Sequence, residues 1–193
     1  MALVGVTVAF LVTQTDSVEN KFQGSRVACA VIENKNYNDK ESNIVSVSKK
    51  ENVQIMNTGD TQSYIRAKVV ITWMSADGKS VIAVNPNKGT DYTIVYAGES
   101  MGDTDTKWKL AADGYWYYTE PVEPGDMTAN YLIHSCSLVD DAAIPEGYYL
   151  SVEIVASAIQ STPTDVVKNQ WSGNGKGVTD VNGITLAVAD PTP

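Results

Sequence analysis

Hydrophobic and polar residues alternate with a period of two along most of the chain. In the stretch YIRAKVVITWM one set of alternate positions is apolar and the other is mostly polar or charged. Because successive side chains of a strand point to opposite faces of a sheet, this pattern predicts an antiparallel strand with one buried face. The buried set is Ile65, Ala67, Val69, Ile71 and Trp73, and the opposite set is Tyr64, Arg66, Lys68 and Thr72.

The stretch YYLSVEIVASAI predicts a second long strand on the same grounds. Its buried set is Tyr148, Leu150, Val152, Ile154, Ala156 and either Ala158 or Ile159, against Ser151, Glu153 and Ser157. Shorter strands are predicted at 27–33, 44–47, 53–57, 92–96, 115–119, 127–138 and 184–188. Many short strands favour an all-β fold, namely an antiparallel β-sandwich that is jelly-roll-like or immunoglobulin-like.

Turn and helix signals separate these strands. The helix signal covers 164–171, with Thr164 as the N-cap and Asp165 in the first turn. The glycine-rich run 172–183 indicates a flexible loop, and residues 16–193 are expected to form one domain with at most one or two short helices. Turns with positive φ are expected at Asp77-Gly78, Asp113-Gly114 and Asn182-Gly183, and a tight turn at Pro124-Gly125.

The N-terminal segment 1–15 is uncharged and alternates as well. Its bulky even positions are Val4, Val6, Val8, Phe10 and Val12. A strand that buries one face has a period of two, whereas the apolar core of a signal peptide has no need of one. The segment is therefore interpreted as a donor strand for another subunit, as a strand completing its own subunit, or as the remnant of a signal peptide.

Two features argue against a complete signal peptide and against a membrane-spanning helix in this segment. No basic residue precedes the apolar stretch, so it is not a complete signal peptide, although Thr7-Val8-Ala9 fits a small-x-small cleavage pattern. About twelve apolar residues also fall short of the ~20 that a membrane-spanning helix needs. No membrane span is predicted.

Charge and cysteine content narrow the class of protein. The formal net charge is −9, and no cluster of basic residues exists to neutralise phosphates, so nucleic acid is not an expected partner. Cys29 and Cys136 lie outside any zinc-type spacing, and either a disulfide or two free thiols fits the sequence. No metal and no cofactor are predicted.

Few residues in the sequence suggest catalysis or metal binding. The single histidine, His134, lies in YLIHSCSLV, where strand alternation separates it from Ser135 and places it on the same face as Cys136. Asp103 and Asp105 in GDTDTKW indicate a solvated loop or a weak calcium site, since the glycine and glutamate of an EF-hand are missing. A core or rim position is the favoured reading of His134, and no catalytic residue is predicted.

An aromatic run, DGYWYYTEP, raises a second function class. Alternation sends Tyr115 and Tyr117 to one face and Trp116 and Tyr118 to the other. Cross-strand packing accounts for the four rings, and contact with a glycan is the alternative.

Four ordered segments resemble the TasA/camelysin family of secreted biofilm-matrix and surface-fibre proteins of Gram-positive bacteria. They are VAFLVTQTDSVENKF, QIMNTGDTQSYIRAKVVITW, DGYWYYTEPVEPGDMTANYL and YYLSVEIVASAIQS, followed by Trp171. The resemblance implies a jelly-roll-like sandwich, export with a signal peptide cut by a dedicated signal peptidase, and fibres in which the N-terminal strand of one subunit completes the sheet of the next. It supplies no catalytic residue, and the last twenty residues have no clear counterpart.

The expected function is therefore that of a non-enzymatic structural subunit of an extracellular fibre, in the biofilm matrix or in a pilus-like filament. Its expected partners are other copies of itself in a head-to-tail filament, with accessory matrix proteins or cell-wall polysaccharide as further candidates. A cell-surface carbohydrate-binding or adhesin module is the alternative. In either case the protein is expected to be secreted to the matrix or the cell surface.

Overall fold

The computed structural model describes residues 26–33 and 50–191. The predictions for 1–15 and 44–47 therefore lie outside the described residues. In chain order the strands are β1 (Cys29–Ile32), β2 (Lys50–Asn57), β3 (Ser63–Ser75), β4 (Tyr92–Tyr96), β5 (Trp108–Leu110), β6 (Trp116–Val122), β7 (Ile133–Leu138), β8 (Tyr148–Gln160), β9 (Val178–Asn182) and β10 (Thr185–Val188). Helix α1 (Thr164–Trp171) and a 3-10 helix (Gly173–Gly175) lie between β8 and β9.

Eight of these strands form two four-stranded antiparallel sheets. The first sheet has the order β1-β2-β7-β4 and the second has the order β5-β6-β3-β8, while β9 and β10 form a hairpin. Strand β1 packs against β8, so the sheets lie face to face with these two edges together. The predicted all-β antiparallel sandwich is confirmed. The jelly-roll order of strands stays a prediction.

The main hydrophobic core lies between the two sheets and confirms the predicted inner faces of β3 and β8. Ile65, Ala67 and Trp73 are almost fully buried there, together with Leu150 and Val152. Each large apolar side chain buried in this way stabilises the fold by about 1.5–3 kcal/mol. At the end of β8 the residue on this core is Ala158, whereas Ile159 packs on the other side of the sheet.

The second sheet is also covered on part of its outer face. Helix α1 and the β9-β10 hairpin cover part of it and create a second hydrophobic cluster. Tyr64, predicted on the solvent side, is only 1% exposed, and its hydroxyl donates a hydrogen bond to the Ile184 carbonyl at 2.8 Å. The buried members of the cluster are Tyr64, Ala111, Tyr117, Val167, Trp171, Val178 and Leu186.

The C-terminal segment corrects two further predictions. The glycine-rich run 172–183 is not one loop, because it contains the 3-10 helix and β9, which pairs with β10. Helix α1 has the predicted bounds and Asp165 in its first turn, but its N-cap is Pro163, without a side-chain hydrogen bond, and not Thr164. Glycine is required at Gly177, where an added Cβ would lie 2.9 Å from the Tyr117 hydroxyl.

The shorter strands were predicted with mixed success. The strand at 92–96 is confirmed, and those at 27–33, 53–57, 115–119 and 184–188 are present with shifted ends. Of 127–138 only Ile133–Leu138 is a strand, and β5 and β9 were missed. In the predicted turns the second residue has the positive φ and the first does not, at Gly78, Gly114, Gly125 and Gly183.

Over residues 26–33 and 50–191, no helix is long and apolar enough to cross a membrane.

Candidate functional site

The longest open edge in the described part of the sandwich is β8. It spans thirteen residues and pairs with β3 along its whole length, but it has no strand partner on its other side among the described residues. The other edge strands are much shorter: β1 has four residues, β4 has five and β5 has three. An open edge of this length is a template for the addition of another strand.

The backbone of β8 alternates between its two sides. The amide of Ser161, directly after the strand, donates to the Gln62 carbonyl on the β3 side. By alternation, the backbone groups of the even residues Ile154, Ala156 and Ala158 point away from β3. Their side chains face the core, so these three residues combine unpaired backbone groups with an inner, apolar face.

A buried ion pair closes part of this edge. The Lys50 ammonium lies 2.6 Å from a Glu33 carboxylate oxygen, and their side chains are only 2% and 8% exposed. The same ammonium donates a hydrogen bond to the Val152 carbonyl on β8 at 2.9 Å. The pair therefore ties the ends of β1 and β2 to the opposite sheet and occupies one outward carbonyl of β8. From Ile154 onward, the outward backbone groups of β8 have no strand partner among residues 26–33 and 50–191.

The residues predicted to form the donor strand, Val4, Val6, Val8, Phe10 and Val12, lie outside the described residues. The first described residue, Arg26, forms two hydrogen bonds. The Arg26 amide donates to the Asp60 carboxylate at 2.6 Å, and its guanidinium donates to the Thr58 carbonyl at 2.7 Å.

The aromatic run is divided between the two faces of β6, as alternation predicts. Tyr118 and Trp116 face the main core, where Trp116 stacks on Tyr96 with ring centroids 5.0 Å apart. Tyr115 and Tyr117 belong to the outer cluster. Tyr117 and Tyr118 are buried, so the four rings do not form one exposed platform. Glycan contact at Tyr115 and Trp116, which are half-buried, stays a prediction.

A β-bulge determines where His134 points. Along β4, Val95 pairs with Ser135 and Tyr96 pairs with Ile133, so His134 is an extra residue in β7. Such a bulge redirects a side chain and breaks the alternation of the strand. The prediction that His134 shares a face with Cys136 was therefore wrong: Cys136 is buried in the main core, whereas His134 binds the Asp103 carboxylate at 2.9 Å.

His134 and Asp103 lie in a cleft of about 290 Å³ that is also lined by Met101, Asn130 and Tyr131. Burial opposes ionisation of Asp103, but hydrogen bonds from the Gly98 amide and from His134 outweigh it and lower the pKa of the carboxyl group. Within the described residues no hydroxyl or thiol is hydrogen-bonded to the imidazole. The pair orients the ring without an adjacent nucleophile.

Replacing Asp103 with asparagine is expected to reduce stability in a pH-dependent way. The folded-state pKa lies below the unfolded value of about 3.9, so the carboxylate stabilises the fold above that value and the effect is lost as the pH falls through the folded pKa. We expect a loss of roughly 1 kcal/mol at pH 7 that shrinks below pH 4, measured by urea unfolding. Asp105→Asn, whose side chain is 98% exposed, is the control and is expected to change nothing. An Asp103→Asn effect of equal size at pH 7 and pH 3 would contradict the role of the ionised carboxylate as acceptor of these hydrogen bonds.

The other candidate groups stay apart. Asp105 faces Lys107 and not Asp103, and the described residues contain no cluster of side chains suited to a metal ion. Cys29 and Cys136 are free thiols. They pair with Asn57 and Lys50, at opposite ends of β2, which separates them by about 20 Å along the strand. A disulfide between them is therefore excluded in this fold, and burial raises the pKa of the Cys136 thiol to about 11.

No protein-family model, curated protein or solved structure matches the chain.

Proposed function

We propose that this protein is a structural subunit of an extracellular bacterial fibre, in a biofilm matrix or a pilus-like filament. Subunits join when the N-terminal segment of one copy adds a strand to the β8 edge of the next. The observation that carries the proposal is the match between the part of the β8 edge from Ile154 to Gln160, which has no strand partner among the described residues, and an uncharged N-terminal segment with a period of two.

The chemistry of the edge supports strand addition. From Ile154 onward the even residues of β8 offer backbone groups that no described strand pairs with, and their inner face carries the small side chains of Ala156 and Ala158. The bulky set Val4, Val6, Val8, Phe10 and Val12 supplies the volume that alanines beside a core leave available. Main-chain hydrogen bonds then provide affinity, and the alternate side chains provide register.

The energy of such a contact suits a filament. Burial of four or five large apolar side chains at about 1.5–3 kcal/mol each gives a gross gain on the order of 6–15 kcal/mol, before the cost of ordering the strand. The donor and acceptor surfaces differ, so the contact is head to tail and generates an open polymer. The proposed role is non-enzymatic, at the cell surface or in the matrix, with accessory matrix proteins or cell-wall polysaccharide as further partners.

Removal of the donor segment tests the proposal. Deletion of residues 1–13, or the double change Val6→Asp and Val8→Asp, is expected to leave a folded monomer that forms no filaments by negative-stain electron microscopy. The charges would have to be buried without partners in the acceptor core, which is strongly unfavourable. Circular dichroism of the same samples checks that the fold is retained.

The matched control places the same charge on an exposed valine outside the proposed contact. Val84 is 61% exposed, and Val84→Asp is expected to polymerise as the unmodified protein does. Filaments that persist after the deletion would refute strand donation by this segment.

A further inference from the structure

Three basic residues lie beside the covered part of the outer face of the second sheet. Arg66 on β3 and Lys109 on β5 are both cross-strand partners of Tyr117 on the intervening strand β6. Lys68 follows two residues after Arg66 on the same face of β3 and lies 5.5 Å from the centre of the Tyr115 ring. We call Arg66, Lys68 and Lys109, with Tyr115, the basic patch.

Aromatic rings hold the arginine of this patch in place. The Arg66 guanidinium carbon lies 4.4 Å from the centroid of Tyr115 and 4.8 Å from that of Trp171. Its Nη1 donates a long hydrogen bond of 3.4 Å to the Tyr117 hydroxyl. Cation–π contacts on two rings fix the plane of the guanidinium and so reduce the entropy lost when it binds a partner.

The groups next to the Arg66 guanidinium are closely packed. The Tyr117 hydroxyl donates to the Asp113 carboxylate at 2.7 Å, and burial together with this hydrogen bond raises the pKa of Tyr117 to about 12. Gly177 lets the chain pass against the same two groups, because a Cβ there would lie 2.9 Å from each. Asp113 therefore reaches Arg66 only through a tyrosine hydroxyl.

The basic patch lacks direct acidic partners among the described residues, whereas four of the eight lysines in the described part have one. Lys50, Lys88, Lys107 and Lys168 each form an ion pair with a carboxylate. Among the described residues none of the three cations of the patch does so. The Arg66 Nε is buried without an acceptor, and its Nη2 has none among these residues. In a chain of net charge −9, a cluster of unpaired cations is the reverse of the general surface.

We propose that the basic patch binds an anionic polysaccharide that carries carboxylate groups, that is, a polymer of uronic acids. Because the Arg66 Nε is buried, the N–H groups of Nη1 and Nη2 are the donors for the two oxygens of a carboxylate, and the Tyr115 ring and the lysine stems offer apolar surface to sugar rings. Lys109 and Arg66 are two strands apart, roughly 10 Å, which suits a chain with repeated carboxylates better than a single small acid.

The inference does not rest on strand donation. The basic patch lies on the outer face of the second sheet, whereas the proposed acceptor for the donor strand is the edge of that sheet at β8. Binding is therefore measured per subunit by isothermal titration calorimetry at fixed salt, on the full chain and on the Val6→Asp, Val8→Asp variant. The probe is polygalacturonate, with neutral dextran, dextran sulfate and polyphosphate as comparison polymers. Retained binding in the variant without filaments separates this site from the fibre.

We expect polygalacturonate to bind and neutral dextran not to bind. Arg66→Gln is expected to weaken binding at least about tenfold, and the double change Lys68→Gln, Lys109→Gln by a similar factor. Lys79→Gln removes the same charge from an exposed turn lysine and is the matched control, with no change expected. If Arg66→Gln fails to fold in a thermal melt, the double lysine variant, at exposed positions, decides the result.

Several outcomes would overturn the proposal. They are the absence of binding to polygalacturonate, equal binding of dextran sulfate or polyphosphate, and an equal loss of binding in Lys79→Gln. Self-association of the unmodified protein that disappears in the double lysine variant, without polygalacturonate binding, would assign the patch to an acidic surface of a second copy instead.

Discussion

Replacing Lys50 with methionine is expected to lower the free energy of unfolding by about 3–5 kcal/mol. The change removes the ammonium that lies 2.6 Å from the buried Glu33 carboxylate and that satisfies the Val152 carbonyl. Without this ammonium, a carboxylate that is only 8% exposed loses its opposite charge at 2.6 Å, and a buried charge with less compensation destabilises the fold.

A double variant distinguishes loss of the pair from loss of packing. Glu33→Leu combined with Lys50→Met replaces both charges with apolar groups, and it is expected to recover most of the lost stability, because a buried ion pair is close to neutral against well-packed hydrophobic residues. Urea unfolding of both variants measures the coupling, with Lys79→Met as the exposed control. A double variant as unstable as Lys50→Met alone would show that the Lys50 side chain contributes mainly through packing and the Val152 hydrogen bond.

The local sequence pattern was sufficient to predict the elements whose environment is the same along their length. The alternation of β3 and β8 identified the inner faces correctly, because both strands lie on one continuous core. Helix α1 was predicted with its bounds from a short polar signal at 164–171. In each case the contacts that decide the structure repeat with the period of the element itself.

Long-range contacts decided the features that the sequence did not indicate. Tyr64 alternates as a solvent-facing residue, yet it is buried because a hairpin more than a hundred residues later covers it. His134 changes face because the bulge depends on its pairing with β4. In a two-residue lysine run, Lys50 has the pattern of a solvated residue, and only the packing of β2 onto β8 turns it into a buried cation.

The two candidate surfaces therefore differ in how much of each can be predicted from the sequence. The N-terminal donor pattern is visible in the sequence, whereas its proposed acceptor requires knowledge of which strand ends a sheet. The basic patch joins residues of β3 and β5 with Tyr115, and no local spacing connects Arg66, Lys109 and Tyr115. The lack of direct ion pairs at Arg66, Lys68 and Lys109 became apparent only from the contacts of these side chains in the folded chain.

Two proline substitutions at neighbouring positions of β8 are expected to have opposite effects on folding and on filament formation. Ala156 has its backbone N–H on the open side of the strand, so Ala156→Pro removes a donor that pairs with no described strand. Val155 pairs with Lys68 of β3 and has its N–H on that side, so Val155→Pro removes a ladder hydrogen bond and clashes within the sheet.

We expect Ala156→Pro to give a folded monomer that forms no filaments, since proline blocks an edge against strand addition. Val155→Pro is expected to destabilise the monomer by about 3 kcal/mol or more, which circular dichroism and urea unfolding measure. A mixture of Ala156→Pro with the unmodified protein is a further test. The variant keeps a donor segment but lacks an acceptor edge, so it can attach its own strand to the end of a filament. It cannot accept the strand of the next subunit. Filaments of Ala156→Pro alone, at normal length, would place the acceptor at another edge of the sandwich.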